Sequence, residues 1–148
     1  MTEKLQVVTP HLVVDDAAAA LEFYKKGLGA TETFRLPYED GKRLMHSEIN
    51  LMGARIFVVD SFPEFRGPEH GGDHYRTPKE LKGTSVTIHL EVPNCDEAVK
   101  RMADAGATVT QPPWDAFWGA RYGRVRDPFG HEWSFAHPKP EAMNMPKG

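Results

Sequence analysis

The sequence predicts an α+β fold of two repeated β-α-β-β-β modules, on three observations. The string "HLVVDD" at 11–16 returns almost unchanged as "HLEVPN" at 89–94. Each copy precedes a helical run rich in small residues. Each run ends in a similar phrase, "GATET" at 29–33 and "GATVT" at 106–110. Two anchors in the same order, at almost the same separation, mark an internal repeat.

The first module covers 5–60 and opens with "LQVVTPHLVV". The helix "DAAAALEFYKKGLG" follows, with Asp16 as N-cap and Gly29 as terminator. Leu21 with Tyr24 or Lys25 gives helical spacing, and Phe23 adds to the apolar face. Strands are read in "ATETFRLPY", "LMHSEINL" and "RIFVVDSF", separated by turns at "EDGKR" and "MG".

The second module covers 84–137. "TSVTIHLEV" leads to the helix "CDEAVKRMADAG", capped by Asn94, with Glu97 at the capping-box position. Strands follow in "ATVTQPPW", "ARYGRVRDP" and "HEWSFAH". The connecting segment 61–83 is rich in Pro, Gly and His and has no apolar period, which predicts a lid, a crossing arm or disorder. The tail 138–148 reads as a frayed end, and 1–148 as a single domain.

Composition narrows the function classes. The 148 residues are 40% hydrophobic and 26% charged, as in an ordinary soluble domain. A net charge of −3 without a basic stripe argues against nucleic acid as a partner. No apolar run approaches a membrane span, and the N-terminus lacks a secretion pattern. The single cysteine, Cys95, excludes an internal disulfide framework and fits a reducing cytoplasm. At a helix start the dipole favours its thiolate, but a structural role is the better reading.

Strand alternation assigns faces. Leu12 and Val14 belong to the helix side, as do Val86, Ile88, Leu90 and Val92, and Met45, Ile49 and Leu51. The opposite faces carry Thr9, His11 and Val13; Ser85, Thr87, His89 and Glu91; and His46, Glu48 and Asn50. Polar residues on an open sheet face predict a ligand cleft. His11, His46, Glu48 and His89 are therefore candidate ligand-binding residues. Trp114, Phe117 and Trp118 read as packing or as a stacking wall for a flat ligand. Arg121 is a candidate contact for an anionic ligand, whereas Arg124 reads as a partner of surface carboxylates. His70 and His74 read as solvated loop residues. "HSE" at 46–48 lacks the Pro-Cys-x-x-Cys of a zinc deaminase.

The repeated unit, and above all "FWGARYGRVRDPFGHEWSFA" at 117–136, resembles the vicinal oxygen chelate superfamily of glyoxalases, bleomycin-resistance proteins and dioxygenases. The phrase looks most like its PhnB-like branch. The resemblance implies a curved mixed sheet around a cleft, helices outside, and chemistry run on a divalent metal. It also locates the usual metal ligands. Here those positions hold Thr9, Thr87 and Ser134, with the fourth near Phe57. Hydroxyls are poor ligands beside imidazole and carboxylate, so no metal is expected at the family's positions.

The expectation is thus a cytoplasmic homodimer that binds a small organic molecule in a metal-free cleft. Family precedent for pairing modules across a two-fold axis, and the length of segment 63–83, carry the dimer. The alternative is a metal-dependent lyase, isomerase or dioxygenase with a relocated site around His11, His46, Glu48 and His89. A metal-free enzyme using His or Glu as acid or base is a further rival.

Overall fold

The computed structural model describes residues 5–72 and 75–144. The chain forms two compact units, Met1–Gly83 and Thr84–Gly148. Unit one runs β1 (His11–Val14), α1 (Ala17–Leu28), β2 (Thr31–Pro37), β3 (Leu44–Leu51) and β4 (Ala54–Asp60). Its sheet order is β1-β4-β3-β2, with β1 parallel to β4 and the other pairs antiparallel. A short helix α2 (Pro78–Leu81) closes the connecting segment. Unit two runs β5 (Thr87–Glu91), α3 (Cys95–Ala105), β6 (Thr108–Ala116), β7 (Ala120–Arg126) and β8 (Glu132–Pro138). Its order, β5-β8-β7-β6, repeats the same pattern of pairing. Each unit is a β-α-β-β-β module with a mixed sheet and a helix on one face, the predicted class. The parallel pair in each demands a crossover, which the helix supplies.

Local chemistry sets the boundaries. The Asp16 carboxylate accepts from the Ala19 N–H, and Gly29 ends α1 in the left-handed region at φ 71°. The Asn94 side chain accepts from the Glu97 N–H at 3.1 Å. Met52 and Gly53 both have positive φ, 54° and 90°, which matches the twist of a tight hairpin between β3 and β4. In unit one α1 covers Val14, Ile49 and Val58 with Leu21 and Tyr24, all fully buried. In unit two Val99 and Met102 of α3 meet buried Val125, Trp133 and Phe135.

Three expectations change. Met45 does not join the buried face: it is 52% exposed, because the register shifts between Leu36↔His46 and Pro37↔Leu44 and leaves it on a bulge. The described part of the connecting segment has regular structure in place of the disorder named among its readings, with 3-10 turns at Pro63–Phe65 and Pro68–His70 and a full capping box of Thr77 and Glu80 on α2. The tail is anchored as far as Asn144: the Lys139 N–H donates to Gly119 O at 2.8 Å and the Asn144 N–H to Phe117 O at 2.7 Å.

Candidate functional site

The registers align the open faces of the two units row by row. In unit one His11 is the Cα partner of Phe57, which pairs with Glu48. In unit two His89 is the partner of Ser134, which pairs with Arg124. Strand neighbours of Phe57, Glu48, Ser134 and Arg124 are buried under the helix, as is Leu12 beside His11, while Ile88 and Leu90 beside His89 are half-buried, so these side chains occupy the opposite face.

On unit one, the His11 ring meets Phe57 edge-on at 5.6 Å and His46 at 6.4 Å. His46 packs on Phe57 at 4.5 Å, and its Nε2 lies 3.3 Å from Glu48 Oε2. Arg55 approaches the other Glu48 oxygen at 3.7 Å. The Tyr75 hydroxyl lies 3.4 Å from His11 Nε2. Burial first, and the neighbouring His46 second, push the His11 pKa below its usual value. His11 is therefore neutral at neutral pH.

Beside this row is a cavity of about 260 Å³, walled by Tyr38, Met45, Phe62, Phe65, Arg66 and Tyr75. His11, His46 and Glu48 are not in its wall; Tyr75 is the side chain common to cavity and row. The Arg43 guanidinium braces the wall, 4.4 Å from the Phe62 ring and 5.2 Å from Tyr38. Asp40 and Glu64 fix that guanidinium at 2.8 and 2.7 Å. Hydrogen bonds, to Arg43 for Glu64 and first from the Arg43 and Lys42 backbones for Asp40, pull each carboxyl down to about 2. These residues went unread in the sequence. The available signal was the aromatic pair in "SFPEF" inside an otherwise polar segment.

On unit two, His89 Nδ1 lies 2.7 Å from Ser134 Oγ and Nε2 lies 2.5 Å from Glu91 Oε2. An ionised carboxylate only accepts, so Nε2 carries the proton and Nδ1 accepts from the serine hydroxyl. Ser134 is 2% exposed, which does not present it as a nucleophile. Tyr122 stacks on His89 at 6.1 Å and 15°. Trp118 meets Trp114 at 5.7 Å, Tyr122 at 5.6 Å and Phe117 at 5.0 Å, edge to face.

The two arginines differ in their partners. Arg121 pairs with Asp96 of α3 at 2.9 Å and with Asp115 at 3.0 Å. Arg124 forms no ion pair among the described residues, and its Nε is buried without a hydrogen-bond partner. Alternation cannot say which strand neighbour the helix will claim.

The positions of the family's ligands fit a metal poorly. Phe57 and Ser134 occupy equivalent places on β4 and β8, each beside a histidine. Thr9 precedes β1, and Thr87 opens β5 opposite Glu132. Three hydroxyls and a phenyl ring are weak donors. Of the relocated set, His11, His46 and Glu48 belong to unit one and His89 to unit two. Among the described residues no three or more His, Cys, Asp or Glu side chains gather in a metal-binding arrangement. Cys95 is fully buried, its thiol donates to Phe135 O at 3.2 Å, and burial raises its pKa to about 11. Its role is structural. His70 reaches the cavity wall, and His74 lies outside the described residues.

Three comparisons place the chain. An uncharacterized protein of Mycobacterium tuberculosis is 45% identical over 138 residues, 93% of this chain and 77% of that one. The solved structure of an Arabidopsis thaliana gene product is 28% identical, covers 90% of this chain and 99% of its own, and superposes with a TM-score of 0.67. A glyoxalase/bleomycin resistance protein/dioxygenase from Nocardioides shares the fold at 22% identity, with a TM-score of 0.69 over 100% of this chain and 93% of its own. The family model of the Glyoxalase/Bleomycin resistance protein/Dioxygenase superfamily matches residues 4–135, and the chain belongs to that superfamily.

Proposed function

We propose that this protein binds a small organic molecule, and does so without the metal usual in its superfamily. The observation that carries the reading is the aromatic cavity of unit one, about 260 Å³, with Tyr75 linking it to His11. That volume lies near the lower end of ligand pockets, roughly 300–1,000 Å³, and suits a compact ligand. Aromatic walls supply apolar contact, and the few polar groups fix orientation. The weak donor set at the family's ligand positions supports the metal-free part.

The test uses the neutral fluorophore N-phenyl-1-naphthylamine. The protein enhances its emission, and Phe62→Ala or Tyr75→Ala weakens binding about five- to tenfold, as loss of an aromatic contact should. No enhancement, or enhancement indifferent to both substitutions, overturns the reading.

A second reading, metal-free acid–base catalysis, is favoured by neutral His11 beside the Tyr75 hydroxyl. His11→Ala separates the two. A binder, whose cavity wall lacks His11, loses at most about 1 kcal/mol of affinity through the Tyr75 contact; an enzyme loses roughly a hundredfold or more in turnover.

The proposal includes a C2 homodimer. Exposed Phe34 and Leu36 on the edge strand β2 support it, and light scattering tests it. It also includes a reducing, cytoplasmic setting, supported by one buried unpaired cysteine, and the PhnB-like branch, supported by the phrase at 117–136. No described helix is long and apolar enough to cross a membrane.

A further inference from the structure

We propose that the open sheet face of unit two is a recognition site for a small planar organic carboxylate. Arg124 holds its carboxylate, and its ring stacks on Tyr122 and Trp118. The inference stands on unit two alone, apart from the cavity of unit one.

Arg124 sits mid-row, with Ser134 and Gln111 as its Cα partners. Its strand neighbours face the helix: Val125 is fully buried, and a Cβ on Gly123 would lie 3.0 Å from Val99. The Arg124 side chain is half-buried, its Nε is enclosed without a partner, and no carboxylate pairs with it among the described residues. Carboxylates of the same face are already engaged. Glu91 holds His89, and Glu132 is held by Arg126 at 2.9 Å and Thr110 at 3.1 Å. A half-buried guanidinium without a paired carboxylate is unfavourable, and its nitrogens beyond the enclosed Nε are the ones an acceptor from outside the chain can reach.

A second enclosed donor lies one row away. Trp114 Nε1 is also buried without a partner, and Trp114 pairs with Tyr122, two residues before Arg124. Rows two residues apart on a strand are separated by roughly 7 Å, within the span of one ring-bearing ligand. An indole nitrogen only donates, and a guanidinium only donates. The guanidinium asks for oxygen acceptors, whereas the enclosed indole nitrogen is closed to a ligand from outside. The guanidinium fork fits a planar carboxylate better than a single oxygen. Beside these donors Trp118 is 40% exposed and Phe117 45%, which leaves aromatic surface open to a stacked ring.

Calorimetric titration with 2-naphthoate and its neutral isostere 2-naphthamide tests the assignment. The native protein binds the carboxylate at least tenfold tighter, and the preference shrinks as salt rises. Arg124→Gln abolishes the preference, so the two probes bind alike, and Arg124→Lys restores part of it. Trp118→Ala weakens both probes together. Equal affinity in the native protein, a preference that survives Arg124→Gln, or binding of neither probe overturns the inference. N-phenyl-1-naphthylamine binding in the cavity of unit one is unchanged by Arg124→Gln, so failure here is distinguishable from failure there.

Discussion

Units one and two fill the space between helix and sheet in opposite ways. In unit one the helix brings the bulk, with Leu21, Phe23 and Tyr24, while the last strand offers Ile56 and Val58. In unit two the helix is leaner, with Val99 and Met102, and the last strand carries Trp133 and Phe135. Registers show that Ile56 and Trp133 occupy equivalent places, each one residue before the partner of the row histidine. What repeats is therefore the backbone and its pairing pattern, not the side chains. The same holds at the first helical turn. Asp60 accepts from the Ala17 N–H at 2.9 Å, and the equivalent His137 accepts from the Cys95 N–H at 2.8 Å. On the open faces the divergence becomes chemical: Glu48 in unit one stands where unit two has Arg124.

The largest expected effect breaks the volume comparison at its extreme. Trp133→Ala removes a fully buried ring whose Nε1 donates to Asp127 at 2.9 Å. It should cost about 3–5 kcal/mol, whereas Ile56→Val at the equivalent place should cost about 0.5–1.5 kcal/mol. Denaturant melts measure both, and equal costs would refute the complementary packing.

A smaller contrast lies at the helix tethers. Asp60 also accepts from the Leu44 N–H at 2.7 Å, so Asp60→Ala strands two backbone donors and His137→Ala strands one. At about 1–3 kcal/mol for each stranded donor, Asp60→Ala should be the more damaging. Burial raises the Asp60 pKa above its usual value, against the two N–H bonds that lower it. Its contribution is accordingly complete below the ordinary carboxyl pKa and is lost as pH rises through the raised one. Melting temperature against pH checks this, and a contribution that grows with pH would contradict it.

The smallest effect is at His11. Its pKa is lowered in the folded protein, so its contribution is present above the usual imidazole value of about 6.5. It is lost as pH falls through the lowered pKa. His11→Gln should flatten that part of the pH–stability curve. Identical curves for native protein and His11→Gln would discount the burial of the ring.

The repeat, the long helices α1 and α3 and every strand were legible because backbone patterning is local: caps at Asp16 and Asn94, glycine stops, and alternation of Leu12 with Val14. The open-face rows were legible for the same reason, which is how His11, His46, Glu48 and His89 could be named. Features set by tertiary register were not. The bulge at Met45 depends on how β2 meets β3, and the pairing of Arg121 depends on Asp96 projecting from α3. The cavity is assembled from residues far apart in sequence: Tyr38 just after β2, and Phe62 and Tyr75 in a connecting segment without hydrophobic period.

Metal independence is the central claim, and calorimetry on chelator-treated protein tests it most directly. Protein purified without an affinity tag, then freed of divalent ions, should bind N-phenyl-1-naphthylamine with the affinity it had before treatment. Metal analysis of the untreated sample should find no stoichiometric zinc, nickel or iron. Binding lost on chelation and restored by one equivalent of such a metal, with His11→Ala or His89→Ala abolishing metal uptake, would contradict the account.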